Sequence, residues 1–128
     1  MIRLALLIAL TLPAAGRDCE TCLRTKAGAI FRSRRSVAEF RKTHPCPATG
    51  KTYGACKGYV VDHIVPLACA DDIAETRADV QRIQRTVLDR PENMQWQTRA
   101  AAGSKDRWER NRCIELYRDP KWTPGGAK

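Results

Sequence analysis

Apolar and polar positions divide the chain into segments of different period. Residues 4–12 are apolar throughout except Thr11, behind a basic start at Arg3 and ahead of Pro13-Ala14-Ala15-Gly16. Residues 17–35 are basic and loosely patterned. Ser36-Val37-Ala38-Glu39 has the spacing of a capping box, in which a hydroxyl and a carboxyl each satisfy a free N–H, so a short helix over about 37–43 is expected. It should stop before Pro45, because a residue preceding proline is pushed out of the helical region. Thr49-Gly50-Lys51 and Tyr53-Gly54 signal turns. Residues 59–65 are rich in β-formers and predict a strand. Asp71-Asp72 with Glu75 suit a helix start. Ile73, Val80, Ile83 and Val87 then recur at helical spacing until Pro91, predicting one amphipathic helix over 73–89. Its charged face, with Arg77, Arg82 and Arg85 among Glu75 and Asp79, is read as solvated. Residues 93–97 predict a second strand and 98–117 a helix. Within that helix Gly103 costs about 1 kcal/mol relative to alanine, and Ser104 offers a fresh cap. Residues 120–128 read as a frayed tail. Two short strands and several helices in one short chain are expected to form an α+β class, with a helix added between the two strands.

The first segment changes what kind of protein this is. A basic start, a short apolar run and small residues match a secretory signal peptide over 1–16, leaving a single domain over 17–128. The run is too short to span a bilayer, so no membrane anchorage is expected after processing. Export accounts for the six cysteines, all of which follow the signal. An even count in a small exported chain predicts a disulfide framework, and six cysteines allow 15 pairings. The preferred set is Cys46–Cys56, closing a short loop, Cys69–Cys113, tying the end of the first strand to the C-terminal helix, and Cys19–Cys22. Structural zinc on Cys19-x-x-Cys22 and a second pair is the competing reading.

Charge narrows the partners. Lys and Arg number 23 against 14 Asp and Glu, a net charge of +9 and a pI near 9.6. Removing residues 1–16 takes only Arg3, so the surplus survives processing. Such a surplus favours polyanions, with nucleic acid first. Hydrophobic residues at 43% and charged residues at 29% fit a folded domain and disfavour disorder. A monomer is expected.

Candidate chemistry centres on Tyr59-Val60-Val61-Asp62-His63-Ile64-Val65-Pro66-Leu67, followed by Asn93-Met94-Gln95-Trp96-Gln97 and Lys105-Asp106. Phosphodiester hydrolysis needs a base to make water nucleophilic and a cation to neutralise the phosphoryl oxygens. Histidine is the natural base near neutral pH, and aspartate is a natural hard ligand for Mg²⁺. Successive strand residues point to opposite faces, so Asp62 and His63 can address one phosphate only if the backbone leaves the strand near them. Pro66 fits such a departure.

These segments resemble HNH nucleases, over roughly residues 58–110. Cys46-Pro47-Ala48-Thr49-Gly50 and Gly54-Ala55-Cys56 look like exported bacterial members of that family. The resemblance implies a small ββα-metal domain: a hairpin with an irregular loop, then a helix completing a metal site. It implies Asp62 as metal ligand, His63 as general base, Asn93 as the brace that orients the histidine loop, and Lys105 as the basic residue on the helix. It implies a divalent cofactor, Mg²⁺ foremost, with Mn²⁺, Ni²⁺ or Zn²⁺ as alternatives, and products carrying 5′-phosphate. The expected activity is cleavage of DNA, with RNA second, at low sequence specificity. Two departures stand out. The gap between His63 and Asn93 holds the added helix. Ala101 and Ala102 stand where the family places its last ligand, leaving Gln97, Asp106 or Glu109 as substitutes. Arg99 and Arg107, with Arg110 and Arg112, are expected to grip phosphates. His44 is read as a helix-end histidine, and Trp96 and Trp108 as core. Two other readings stand beside the nuclease: a nucleic-acid-binding relative that does not cut, and a basic, disulfide-stabilised exported binding protein.

Overall fold

The computed structural model describes residues 19–109 and 111–119. The expected signal segment, Arg110 and the tail from 120 lie outside these. Strands β1 (Tyr59–His63) and β2 (Met94–Thr98) pair antiparallel, with Tyr59 opposite Thr98 and His63 opposite Met94. Helix α1 (Arg34–Thr43) precedes them. Helices α2 (Ala70–Ile73) and α3 (Val80–Ile83) lie between them, and α4 (Arg99–Glu109) and α5 (Cys113–Arg118) follow. The chain is therefore a small α+β structure with a two-stranded sheet. No helix among the described residues is long and apolar enough to cross a membrane.

β1 ends earlier than the expected 65. Ile64 N–H still donates to the Asn93 carbonyl at 2.8 Å, but the Asn93 side chain takes both backbone groups of Val65 in place of a ladder partner. The chain turns there, and Pro66 leads into a 3₁₀ turn over Leu67–Cys69.

α1 starts earlier than expected. Ser33, not Ser36, is its cap, accepting from Ser36 N–H at 3.2 Å, while Glu39 pairs with Arg35 on the surface. The end is as read: His44 Nδ1 lies 3.2 Å from the Phe40 carbonyl. His44 stacks on Phe40, and its carbonyl accepts from Trp96 Nε1 at 2.8 Å.

The expected helix over 73–89 is broken. Ala74 and Thr76 are extended, and the Thr76 hydroxyl donates to Asp79 Oδ2 at 2.8 Å, opening a new turn at Arg77–Asp79. α3 then widens into a π-turn over Gln84–Leu88. Gln84 is fully buried there, with Oε1 accepting from Leu23 N–H and Nε2 donating to the Leu23 and Phe31 carbonyls. The periodicity survives the break because Val80 and Leu88, with Ile73, Ile83 and Val87 beside them, press on one core.

The expected helix over 98–117 divides into α4 and α5. α4 begins at Arg99, with the Thr98 hydroxyl accepting from Ala101 N–H at 3.1 Å, and runs through Gly103 without a new start at Ser104. α5 begins afresh at Cys113, and Glu109 at the end of α4 turns onto Lys105.

Three disulfides, Cys19–Cys22, Cys46–Cys56 and Cys69–Cys113, account for all six cysteines, as preferred from the sequence. Zinc on Cys19 and Cys22 is thereby ruled out. Cys19, Cys22, Cys69 and Cys113 are buried in the core with Val65, Leu67, Leu88 and Leu116. Trp108 packs against this core with the Arg112 guanidinium over its ring at 4.7 Å.

Candidate functional site

The end of β1, the 3₁₀ turn after it and the face of α4 enclose a cleft of about 200 Å³. Arg32, Asp62, His63, Asp106 and Glu109 line it. The two neighbours of β1 thus reach one cleft, which strict alternation would forbid, because the strand ends at His63. A larger hollow, about 460 Å³, lies beside Val65, Val87, Leu88 and Tyr117 and does not include His63.

His63 is buried, 4% exposed, and its Nε2 lies 3.0 Å from Asp89 Oδ1. Asp89 is equally buried, and its Oδ2 accepts from the Ser33 N–H at 2.6 Å. The π-turn places it: Asp89 N–H reaches back five residues to the Gln84 carbonyl at 2.9 Å, which rotates residue 89 away from where a regular α-helix would carry it. With the Nε2 proton directed at a carboxylate, Nδ1 carries the free lone pair. Burial lowers the His63 pKa; the hydrogen bond to Asp89 opposes this, and the Arg32 charge adds to it.

Asn93 is the brace. Its Oδ1 accepts from Val65 N–H at 2.9 Å, and its Nδ2 donates to the Val65 and Leu88 carbonyls, each at 2.8 Å. It ties the loop after His63 to the end of the π-turn before Asp89, and so fixes both members of the His–Asp pair. Replacing Asn93 with alanine leaves three backbone groups unpartnered and is expected to cost about 2–3 kcal/mol. Urea unfolding of Asn93→Ala checks this; a shift no larger than that of an ordinary surface substitution counts against the brace.

Asp62 is engaged. Its Oδ2 lies 3.2 Å from Lys105 Nζ and 3.1 Å from Gln95 Nε2, its cross-strand neighbour. Lys105 is fully buried, donates to the His63 carbonyl at 2.9 Å, and pairs with Glu109 one turn along α4. The expected role of Lys105 as a phosphate grip does not fit this placement, since its ammonium is enclosed by protein oxygens. Arg99 and Arg107 are exposed on α4 and do not line the cleft; Arg107 donates to the Ser104 hydroxyl at 3.3 Å. The exposed cation that does line it is Arg32, held by the Val61 carbonyl at 3.3 Å.

A divalent cation on Asp62 does not fit these side chains as arranged, because an ammonium already lies against that carboxylate. Among the described residues no group of three or more His, Cys, Asp and Glu side chains is placed to hold one metal ion.

Burial pushes the Glu109 pKa up to about 7 against the pull of Lys105. A carboxyl whose pKa is raised by folding binds its proton more tightly in the folded state. Its contribution is complete below the unfolded-state value of about 4.3 and is lost as pH rises through about 7. Melting temperatures taken across that window should show a downward trend with pH that Glu109→Gln flattens. An unchanged trend in the variant would assign the slope elsewhere.

Two members of the site were not found from sequence, Asp89 and Arg32. Asp89 left a faint signal: an acid at the C-terminal end of a helical run, where the helix dipole disfavours it. Arg32 left none, being one of many basic residues before α1. No protein-family model, no curated protein and no solved structure matches this chain.

Proposed function

We propose that this protein is an exported nuclease of the ββα type, hydrolysing phosphodiester bonds of DNA, and of RNA second, with little base specificity. The observation that carries the reading is a buried histidine, anchored on one nitrogen by a buried carboxylate, lining a cleft with an exposed arginine at its wall. His63 Nδ1 takes a proton from the attacking water as its oxygen bonds to phosphorus and the P–O3′ bond breaks, the 3′ oxygen leaves with a proton from solvent, and Asp89 stabilises the imidazolium that forms. Arg32 offers its guanidinium to the phosphoryl oxygens. Support for the ββα reading comes from the order of β1, β2 and α4, and from the loop brace at Asn93. Support for export comes from three disulfides, which persist in oxidising compartments. The basic surplus supplies affinity for the phosphate backbone and little sequence information.

A second reading has its own observation. Lys105 against Asp62 neutralises the carboxylate that the nuclease resemblance makes a ligand, which favours a relative that binds nucleic acid without cutting. Supercoiled plasmid and single-stranded RNA, incubated with purified protein, decide between them. The nuclease reading expects nicking that His63→Ala removes while salt-sensitive binding remains. Binding with a steep salt slope and no cleavage under any condition, Mg²⁺ and Mn²⁺ included, establishes the second reading instead.

A further inference from the structure

Lys105 Nζ sits where three oxygens converge. The His63 carbonyl is at 2.9 Å, Asp62 Oδ2 is at 3.2 Å, and Glu109 Oε2 is in close contact. The lysine side chain is 0% exposed, and the two carboxylates are nearly covered. An ammonium has three protons and no acceptor, and here it meets three acceptors. Two carboxylates and a backbone carbonyl are also the hard oxygen set that Mg²⁺, Mn²⁺ and Ca²⁺ select. We propose that the Lys105 ammonium occupies a hard-cation site formed by Asp62, Glu109 and the His63 carbonyl, serves there as the protein's resident cation, and keeps divalent ions out.

The charges favour this reading over an ordinary surface ion pair. Two carboxylates facing one point from β1 and α4 repel each other unless a cation lies between them. Lysine supplies that cation covalently, on the same helix as Glu109 and one turn before it. The same contact joins α4 to the last residue of β1 through the His63 carbonyl, a cross-link that a bound ion would otherwise provide. Removing the ammonium leaves the two nearly covered carboxyl groups without their counter-charge, and a divalent ion is the natural replacement. The inference concerns cation binding and does not depend on the nuclease reading.

Mn²⁺ is the probe, because its electron paramagnetic resonance signal separates bound from free ion. Wild-type protein should bind no stoichiometric Mn²⁺, and its melting temperature should not move between excess EDTA and millimolar Mn²⁺. Lys105→Ala should bind one Mn²⁺ per chain and melt higher with Mn²⁺ than with EDTA. Adding Glu109→Gln to Lys105→Ala should remove both effects. Lys105→Ser, which opens the same space and adds only a small hydroxyl, is prepared in parallel in case the alanine variant does not fold. A wild-type protein that binds one Mn²⁺, with the binding lost in Asp62→Asn, overturns the proposal whatever the variants do. So does a folded Lys105→Ala or Lys105→Ser that binds none. Plasmid cleavage keeps the two readings apart. Cleavage abolished by EDTA, with Mn²⁺ bound at Asp62, sinks the resident-cation proposal and leaves the nuclease standing. Absence of any cleavage sinks the nuclease and leaves the Mn²⁺ titration to judge the lysine.

Discussion

His63→Ala is expected to lower phosphodiester cleavage by about 10²–10⁴-fold, the range a positioned general base supplies. The change removes the cleft's one imidazole and leaves Asp89 facing an empty position with its Ser33 contact intact. Affinity for DNA should be nearly unchanged, since phosphate attraction comes from the basic surface and not from a neutral, buried ring. A titration at two salt concentrations alongside circular dichroism separates lost chemistry from lost fold. The pH profile supplies an independent signature. Burial lowers the His63 pKa, so the free base persists below the ordinary histidine range. The acid limb of kcat/KM is therefore expected below pH 6.5, roughly the unperturbed value. Asp89→Asn withdraws the hydrogen bond that opposes the burial effect, and should push that limb lower still while reducing the rate. A limb at or above the unperturbed value, or full activity in His63→Ala, removes His63 from the reaction.

What could be read from the chain follows the range of the forces involved. β1 and β2 were legible because strand propensity and Pro66 are local. The disulfide framework was legible because six cysteines in a small chain are an even count, and the preferred pairing, one of 15, is the one that forms. Asn93 was legible through the family resemblance, and its contacts give that role a physical form: one amide satisfies three backbone groups across two loops. Asp89 was not legible, because its place depends on a π-turn, and the turn depends on Gln84 reaching the backbone of a segment some sixty residues away. The break at Ala74 was hidden for a related reason. Apolar spacing records which residues face the core, and two short helices against one core leave the same trace as one long helix. Lys105 shows the opposite failure. Its type suggests phosphate binding, but its environment decides its use, and α4 carries Glu109 one turn further on, beside Asp62 from the strand. Ser33 displaced Ser36 as the cap of α1 because Asp89 holds the Ser33 N–H, a contact distant in sequence.

Removing the Cys69–Cys113 disulfide, by alanine at both positions, is expected to cost about 4 kcal/mol at 25 °C. The bond closes a loop of sequence separation 44, and the chain-entropy relation for a loop of that length gives this figure. Stabilities of small domains run from about 5 to 15 kcal/mol, so a loss of that size leaves little margin. Both cysteines are in the core, and the bond fixes α5 to the turn that follows Pro66. That turn forms one wall of the cleft, and α5 follows the helix that carries Lys105. Loosening it should therefore reach the His63 loop. Cys46–Cys56, with separation 10, closes a shorter loop whose residues are largely exposed, and it lies outside the main core cluster although Cys46 itself is buried. Its removal should cost less, and Cys19–Cys22, with separation 3, less again. Urea unfolding of the three double-alanine variants tests the order. If the loss of Cys69–Cys113 proves no larger than that of Cys46–Cys56, then packing of Leu116, not the covalent tether, holds α5 in place. The cleft would then owe its closed wall to side-chain contacts alone.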